Sequence, residues 1–159
     1  MKKIILLFIF FGCFATEAQT EKPELKTYPF SEVEKLQQKN PKPIVVFIYT
    51  DWCKICFGMK KNTFQNTEII ELLNKNFYFV KLNGEEKKDI TFLRKKFVYK
   101  PYGNNTGNHE LAIELAAMKK KISYPTTVIL NKKFEIDLQI DNYINSKKME
   151  NILSKYLKL

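Results

Sequence analysis

The stretch TDWCKICFGMKKNTF, residues 50–64, places Cys53 and Cys56 three apart directly after an apolar run. Such a pair serves haem attachment, a metal site, a structural staple or thiol redox exchange. Haem attachment of the C-x-x-C-H type needs histidine next, and Phe57 stands there. An intramolecular structural zinc site needs four ligands; once Cys13 has left with the leader described below, only His109 and carboxylates remain beside the pair. A bridge across three residues closes too small a loop to constrain the unfolded chain much. Redox exchange suits the spacing, because residues i and i+3 at a helix start lie about 5–6 Å apart, within the range of a disulfide.

The first cysteine falls at the amino end of a predicted helix, where unpaired N–H groups and the helix dipole favour a thiolate; such sites bring thiol pKa values from about 8.5 into the range of about 3.5–7.5. Cys53 is therefore the expected nucleophile, and Cys56, a turn deeper, the resolving thiol. Lys54, Lys60 and Lys61 add positive charge nearby, and Asp51 opposes them.

The elements that must hold this pair follow from the apolar pattern. Residues 19–30 carry Pro23 and Pro29 and no period, which reads as an extended lead-in. Ser31 opens SEVEKLQQKN with Glu34 at capping-box spacing and Val33 and Leu36 as an apolar face. Ile44 to Tyr49 is apolar on both faces and β-branched, as in a central parallel strand covered on each side. A helix across the cysteines follows, then NTEIIELLNKN with Ile69, Ile70, Leu72 and Leu73 inward, then a second two-faced strand in FYFVKLN. Residues 44–83 thus form a strand, helix, strand unit.

From Gly84 to Tyr124 the chain makes a long excursion, read as helices in DITFLRKKF and HELAIELAAMKKK around a loop, VYKPYGNNTGN. His109, the one histidine, is expected in the first turn of an exposed helix; a position that brings His109 and Glu110 near the disulfide is the functional alternative. TTVILN and FEIDLQI read as a hairpin joined at Asn131 and Lys132, with Phe134, Ile136, Leu138 and Ile140 on one face. The tail is an amphipathic helix burying Met149, Ile152, Leu153, Tyr156 and Leu157.

The chain resembles the thioredoxin superfamily from about Ser31 to Leu159. WCKIC after an apolar strand and SYPTTVIL before a hairpin carry the resemblance, in the order and at the separation that family uses. It implies an α/β three-layer fold with a central mixed sheet, a C-terminal β-hairpin and helix, and here a helical insertion at about 85–121. It also implies that Pro125 is a cis-proline facing the disulfide, that the backbone around Tyr124 pairs with an extended substrate segment, and that Trp52 lies beside the reactive sulfur. Trp52, Tyr124, Pro125 and Thr126 are the expected substrate-binding residues. No organic cofactor or metal is implied. Many thioredoxins hold a buried acid six residues before the first cysteine, where it assists proton transfer. Phe47 occupies that position, so either an acid such as Glu85 or Glu86 folds into reach or resolution is slower.

The leader MKKIILLFIFFGCFATEAQT has a basic start, an apolar core too short for the roughly 20 residues of a membrane span, and small residues after it. A signal peptide over residues 1–18, with the mature chain starting at Gln19, is the preferred reading; an uncleaved anchor and a lipoprotein modified at Cys13 are the others. Export to the periplasm or beyond places the thiols where disulfides persist. The formal charge of +10 comes from scattered lysines, which suits a solvated basic surface rather than nucleic-acid binding. The expected function is a secreted thiol-disulfide oxidoreductase acting on cysteine-bearing proteins or peptides, with an upstream thiol donor or acceptor protein and no stable membrane insertion. The resemblance to exported disulfide-reducing domains favours the reductive direction; oxidase and isomerase share the motif. The alternative is a non-catalytic peptide-binding module with a permanent Cys53–Cys56 bridge.

Overall fold

A computed structural model describes residues 23–104, 106–117 and 121–158; the predicted signal peptide and Gln19 lie outside them. Helix α1 spans Phe30–Lys39, strand β1 Ile44–Tyr49, α2 Lys54–Asn62, α3 Thr67–Asn76 and β2 Tyr78–Asn83. Two small hairpins follow, β3 (Ile90–Phe92) with β4 (Lys95–Phe97) and β5 (Tyr99–Gly103) with β6 (Thr106–His109), then α4 over Glu110–Ala116. Strands β7 (Thr126–Leu130) and β8 (Ile136–Asp141) and helix α5 (Ser146–Tyr156) end the fold.

The central sheet runs β2-β1-β7-β8, with β1 parallel to β2 and antiparallel to β7. Alternation along β1 explains why both its faces are apolar. Ile44, Val46 and Ile48 enter a core with Val33, Val80, Leu111 and Val128, whereas Val45 and Phe47 enter a second core with Met59, Ile69, Leu73, Phe79, Ile129 and Leu153. Each fully buried side chain of this size contributes about 1.5–3 kcal/mol, so β1 is firmly anchored on both faces. The antiparallel partner matters for the site: Ile48 lies opposite Thr126, which brings the segment after β1 beside the segment before β7.

Five readings of the sequence change. The helix expected over DITFLRKKF is the β3–β4 hairpin, and the loop VYKPYGNNTGN is mostly the β5–β6 hairpin. Nine residues with few apolar positions carry no decisive period; packing settles the matter, since Phe92 lies 4.8 Å from Phe30 and 5.4 Å from Phe134 between ring centroids, and Phe97 is buried in the same core. Among the described residues the excursion is therefore two hairpins and one short helix. The Ser31 capping box does not form: α1 begins one residue earlier after Pro29 with no side-chain cap, and Glu34 Oε1 instead accepts from Leu93 N at 2.6 Å. The β7–β8 turn is longer than a two-residue joint, with Asn131 Oδ1 accepting from Lys133 N and Glu135 N and with Phe134 at φ 68° outside the strand. Ile136 and Leu157 are exposed rather than buried.

The β3–β4 turn holds Leu93 and Arg94 at φ 52° and 63°, a left-handed conformation that costs a residue with a Cβ about 1–2 kcal/mol. Arg94→Gly relieves that cost without touching the bond from Leu93 N to Glu34, so the variant should be more stable by about 1 kcal/mol, read as a higher urea midpoint at unchanged slope.

Candidate redox site

Cys53 is the N-cap of α2, and Cys56 lies on that helix's buried face. The two are joined by a disulfide with Cα atoms 5.2 Å apart. The sulfurs are not equivalent. Cys53 Sγ accepts a hydrogen bond from Cys56 N at 3.1 Å and keeps 6% of its surface, whereas Cys56 is fully enclosed with Val45, Phe47, Met59 and Phe79. The first turn of α2 contains no acidic residue, so nothing there offsets the dipole's preference for negative charge at Cys53.

Trp52, 65% exposed, stands directly before Cys53. Its Nε1 donates to Glu85 Oε2 at 3.0 Å, and its ring meets Tyr124 edge-on at 6.0 Å. The Tyr124–Pro125 peptide bond is cis. Pro125 is buried, and its carbonyl accepts from Asn142 N at 2.9 Å. Thr126 is fully buried with Oγ1 donating to Ser123 O at 2.7 Å; its side chain braces the turn from within. Tyr124 packs against both cores, including the one that holds the cysteines, and burial, followed by the Glu85 and Tyr102 charges, pushes its hydroxyl pKa strongly upward.

Phe47 lies fully buried in the core shared with the cysteines, stacked on Tyr49 at 5.7 Å and edge-on to Phe64 at 4.8 Å. The two acids weighed as substitutes are engaged elsewhere. Glu85 holds Trp52, and Glu86 Oε1 accepts from Lys88 N at 3.0 Å. On the outer side, Lys60 Nζ sits 3.3 Å over the Tyr49 ring, and burial lowers its pKa against the raising effect of Asp51.

His109 departs from the expectation of an exposed helical residue. It is fully buried and is the N-cap of α4, with Nδ1 accepting from Leu111 N at 3.2 Å. Its backbone N–H donates to Gly84 O at 2.7 Å, which ties β6 to the loop that carries Glu85. Glu110 accepts from Val98 N and pairs with Lys100, so it serves the hairpin. Two contributors escaped the reading of the sequence: Gly84, on which the Tyr124 ring lies, and Asn108, whose Oδ1 accepts from Tyr124 Oη at 2.9 Å. An isolated Gly and an isolated Asn carry no spacing signal that could have singled them out.

A strand-to-helix junction bearing a C-x-x-C disulfide beside a proline-led antiparallel strand defines a thioredoxin-like redox protein. Residues 18–153 match the Thioredox_DsbH family, described as a protein of unknown function, DUF255, and the chain belongs to that family. Among solved structures it is similar to a DsbH oxidoreductase (TM-score 0.62, 16% identity, 93% of this chain and 95% of that one) and to a thioredoxin from Thermus thermophilus (TM-score 0.60, 18% identity, 84% and 88%). It is also 36% identical over 73 residues to spermatogenesis-associated protein 20 of Rattus norvegicus, across 45% of this chain. The matched stretch is a small part of the curated relatives, 9% of that protein and 11% of a Caenorhabditis elegans one. The fold and the linked cysteines support redox function and thiol-bearing protein partners. No helix among the described residues is long and apolar enough to cross a membrane.

Two measurements check this account. Phe47→Asp should cost about 3–5 kcal/mol through lost packing and a buried carboxyl, against less than about 1.5 for Phe47→Leu, by thermal or denaturant unfolding. Burial holds the His109 pKa below its ordinary value, chiefly against the Lys88 backbone carbonyl and the Glu86 charge. The folded state therefore resists a proton that the unfolded chain takes up near pH 6.5, and stability should be constant above that pH and fall as pH drops below it. His109→Asn, which retains a capping side chain, should remove that slope between pH 7.5 and 5.5 in denaturant titrations.

Proposed function

We propose that this protein is an exported thiol-disulfide oxidoreductase that reduces disulfides of other exported proteins through Cys53 and Cys56. The observation that carries the reading is the asymmetry of the pair: one sulfur at a helix N-terminus with a backbone N–H directed at it, the other enclosed in hydrocarbon. In the reduced protein the Cys53 thiolate attacks one sulfur of a substrate disulfide. A Cys53–substrate bond forms, and the second substrate sulfur leaves as a thiolate that takes a proton from water. Cys56 then loses its proton, attacks Cys53 Sγ and releases the other substrate sulfur. The substrate has gained two electrons and two protons, and the protein is left with the Cys53–Cys56 disulfide. A thiol donor protein returns it to the dithiol by the same exchange in reverse.

The surroundings favour a macromolecular substrate. Cys53 is flanked in sequence by the exposed Trp52 and Ile55, and Tyr124 packs edge-on against Trp52; an extended segment can lie along the backbone there. A groove of about 1090 Å³ lies at the opposite end of β1, lined by Pro41, Pro43, Ile152 and Tyr156, and contributes nothing to the cysteine pair. The leader, read from its sequence as a signal peptide, supports export, and the likeness of the chain to exported disulfide-reducing domains supports the reductive direction.

Direction is measured by the reduction potential of the pair: a value near about −270 mV supports a reductase, and one near about −120 mV an oxidase. The division of labour is tested by trapping. Cys56→Ser should accumulate covalent, reductant-sensitive complexes with cysteine-bearing proteins, because the internal thiol that resolves the mixed disulfide is gone. Cys53→Ser should capture almost nothing, since its remaining thiol is buried. Equal trapping by both variants, or no turnover by the parent with any thiol donor, would reject the proposal and favour a binding module with a permanent bridge.

A further inference from the structure

The excursion between β2 and β7 reaches the redox site through Gly84, Glu85 and Asn108. The Gly84 N–H donates to Tyr49 O at 2.7 Å and its carbonyl accepts from His109 N at 2.7 Å, so the residue is stitched between the end of β1 and the end of β6. The Tyr124 ring lies directly on it, and a Cβ built on Gly84 would collide with Cε1, Cζ and the hydroxyl of that tyrosine. The hydroxyl then donates to Asn108 Oδ1 at 2.9 Å, one residue before His109. On its other side the Tyr124 ring meets Trp52, which Glu85, the residue after Gly84, holds by its indole N–H. Trp52, Glu85, Gly84, Asn108 and Tyr124 thus close a ring of contacts beside Cys53, and Asn108 is the member that holds Tyr124 from outside the thioredoxin-like sheet.

We propose that Asn108 is a positioning residue of the redox site: by accepting the Tyr124 hydroxyl it fixes the aromatic wall formed by Tyr124 and Trp52 and so restricts what can approach the Cys53 sulfur. The β5–β6 hairpin thereby becomes a specificity element for the exchange, admitting a narrow extended segment and turning away bulkier thiol reagents. This inference rests on the redox reading above. The physical basis is direct. Packing on Gly84 sets the plane of the Tyr124 ring, and the part-buried bond from its hydroxyl to Asn108 holds its outer edge; without that partner the edge is free to tilt, and the ring also supports Trp52, the residue preceding the nucleophile. Gly84 leaves the ring room to lie flat, and Asn108 keeps it there.

The experiment labels reduced, full-length protein with a small maleimide and with a bulky polymer-linked maleimide, following Cys53 by mass, so that the ratio of the two rates cancels changes in thiolate fraction. Asn108→Ala should raise the bulky-to-small ratio by about three- to tenfold, the range one hydrogen bond of this kind can hold. Asn108→Asp, which keeps an acceptor, should restore the parent ratio. Tyr124→Phe, which removes only the hydroxyl, should match Asn108→Ala, and the double variant should equal either single one, because both remove the same contact. An unchanged ratio in Asn108→Ala, no rescue by aspartate, or independent effects that multiply in the double variant would overturn the proposal. If Asn108→Ala fails to fold, Tyr124→Phe decides alone. Labelling needs no turnover, so failure here is separate from failure of the oxidoreductase reading, which shows as a parent protein without exchange activity.

Discussion

The antiparallel pairing of β1 with β7 is the constraint on which the site depends. With Ile48 opposite Thr126, two chain segments more than seventy residues apart in sequence are delivered side by side at one end of the sheet. One bears Trp52 and Cys53, the other Tyr124 and Pro125. The register also assigns the side chains to their cores, Ile44, Val46 and Ile48 to one and Val45 and Phe47 to the other, and a slip of one residue would exchange the two sets. The same burial that stabilises the fold therefore determines where the disulfide meets its flanking wall, and the helix that starts at Cys53 inherits its direction from the strand before it.

The interior beneath the cysteines is hydrocarbon. Phe47, Phe64 and Phe79 form an aromatic contact chain under the pair, with Cys56 in the same cluster. A buried thiol among such residues pays a desolvation cost to ionise, and no carboxylate is bonded to it among the described residues. In the exchange proposed above, proximity to Cys53 therefore stands in for a dedicated base at Cys56. The charged groups gather instead at the rim, where Asp51 accepts from Asn83 and Glu85 from Trp52. Their role there is to hold loops and an indole.

The excursion shows how a fold gains a feature without disturbing its sheet. Its hairpins bury Phe92 and Phe97 against α1 and one face of the sheet, while His109 caps α4 and binds the Gly84 carbonyl. A fully buried histidine of this kind is a structural joint, and its neighbour Asn108 faces the site. Packing and site geometry are thereby coupled through adjacent residues of one short strand.

The cysteine spacing, the two-faced strands, α3, α5 and the proline before β7 were legible in the residues, because long apolar runs and a C-x-x-C pair after a strand admit few arrangements. The Phe47 departure was legible for the same reason, since it depends only on counting back from Cys53. The excursion was not. Short segments such as DITFLRKKF have no period strong enough to choose between helix and strand, and their structure was decided by Phe30 and Phe134, residues distant in sequence that supply the surface they cover. Nor could sequence show that Ser31 would go unused while Glu34 reached across to Leu93, or that Asn108, Glu85 and Gly84 would converge on Tyr124 and Trp52. Local pattern determines which residues must be buried and where chemistry can reside; which polar side chains meet at that place depends on contacts between segments that only the folded chain brings together.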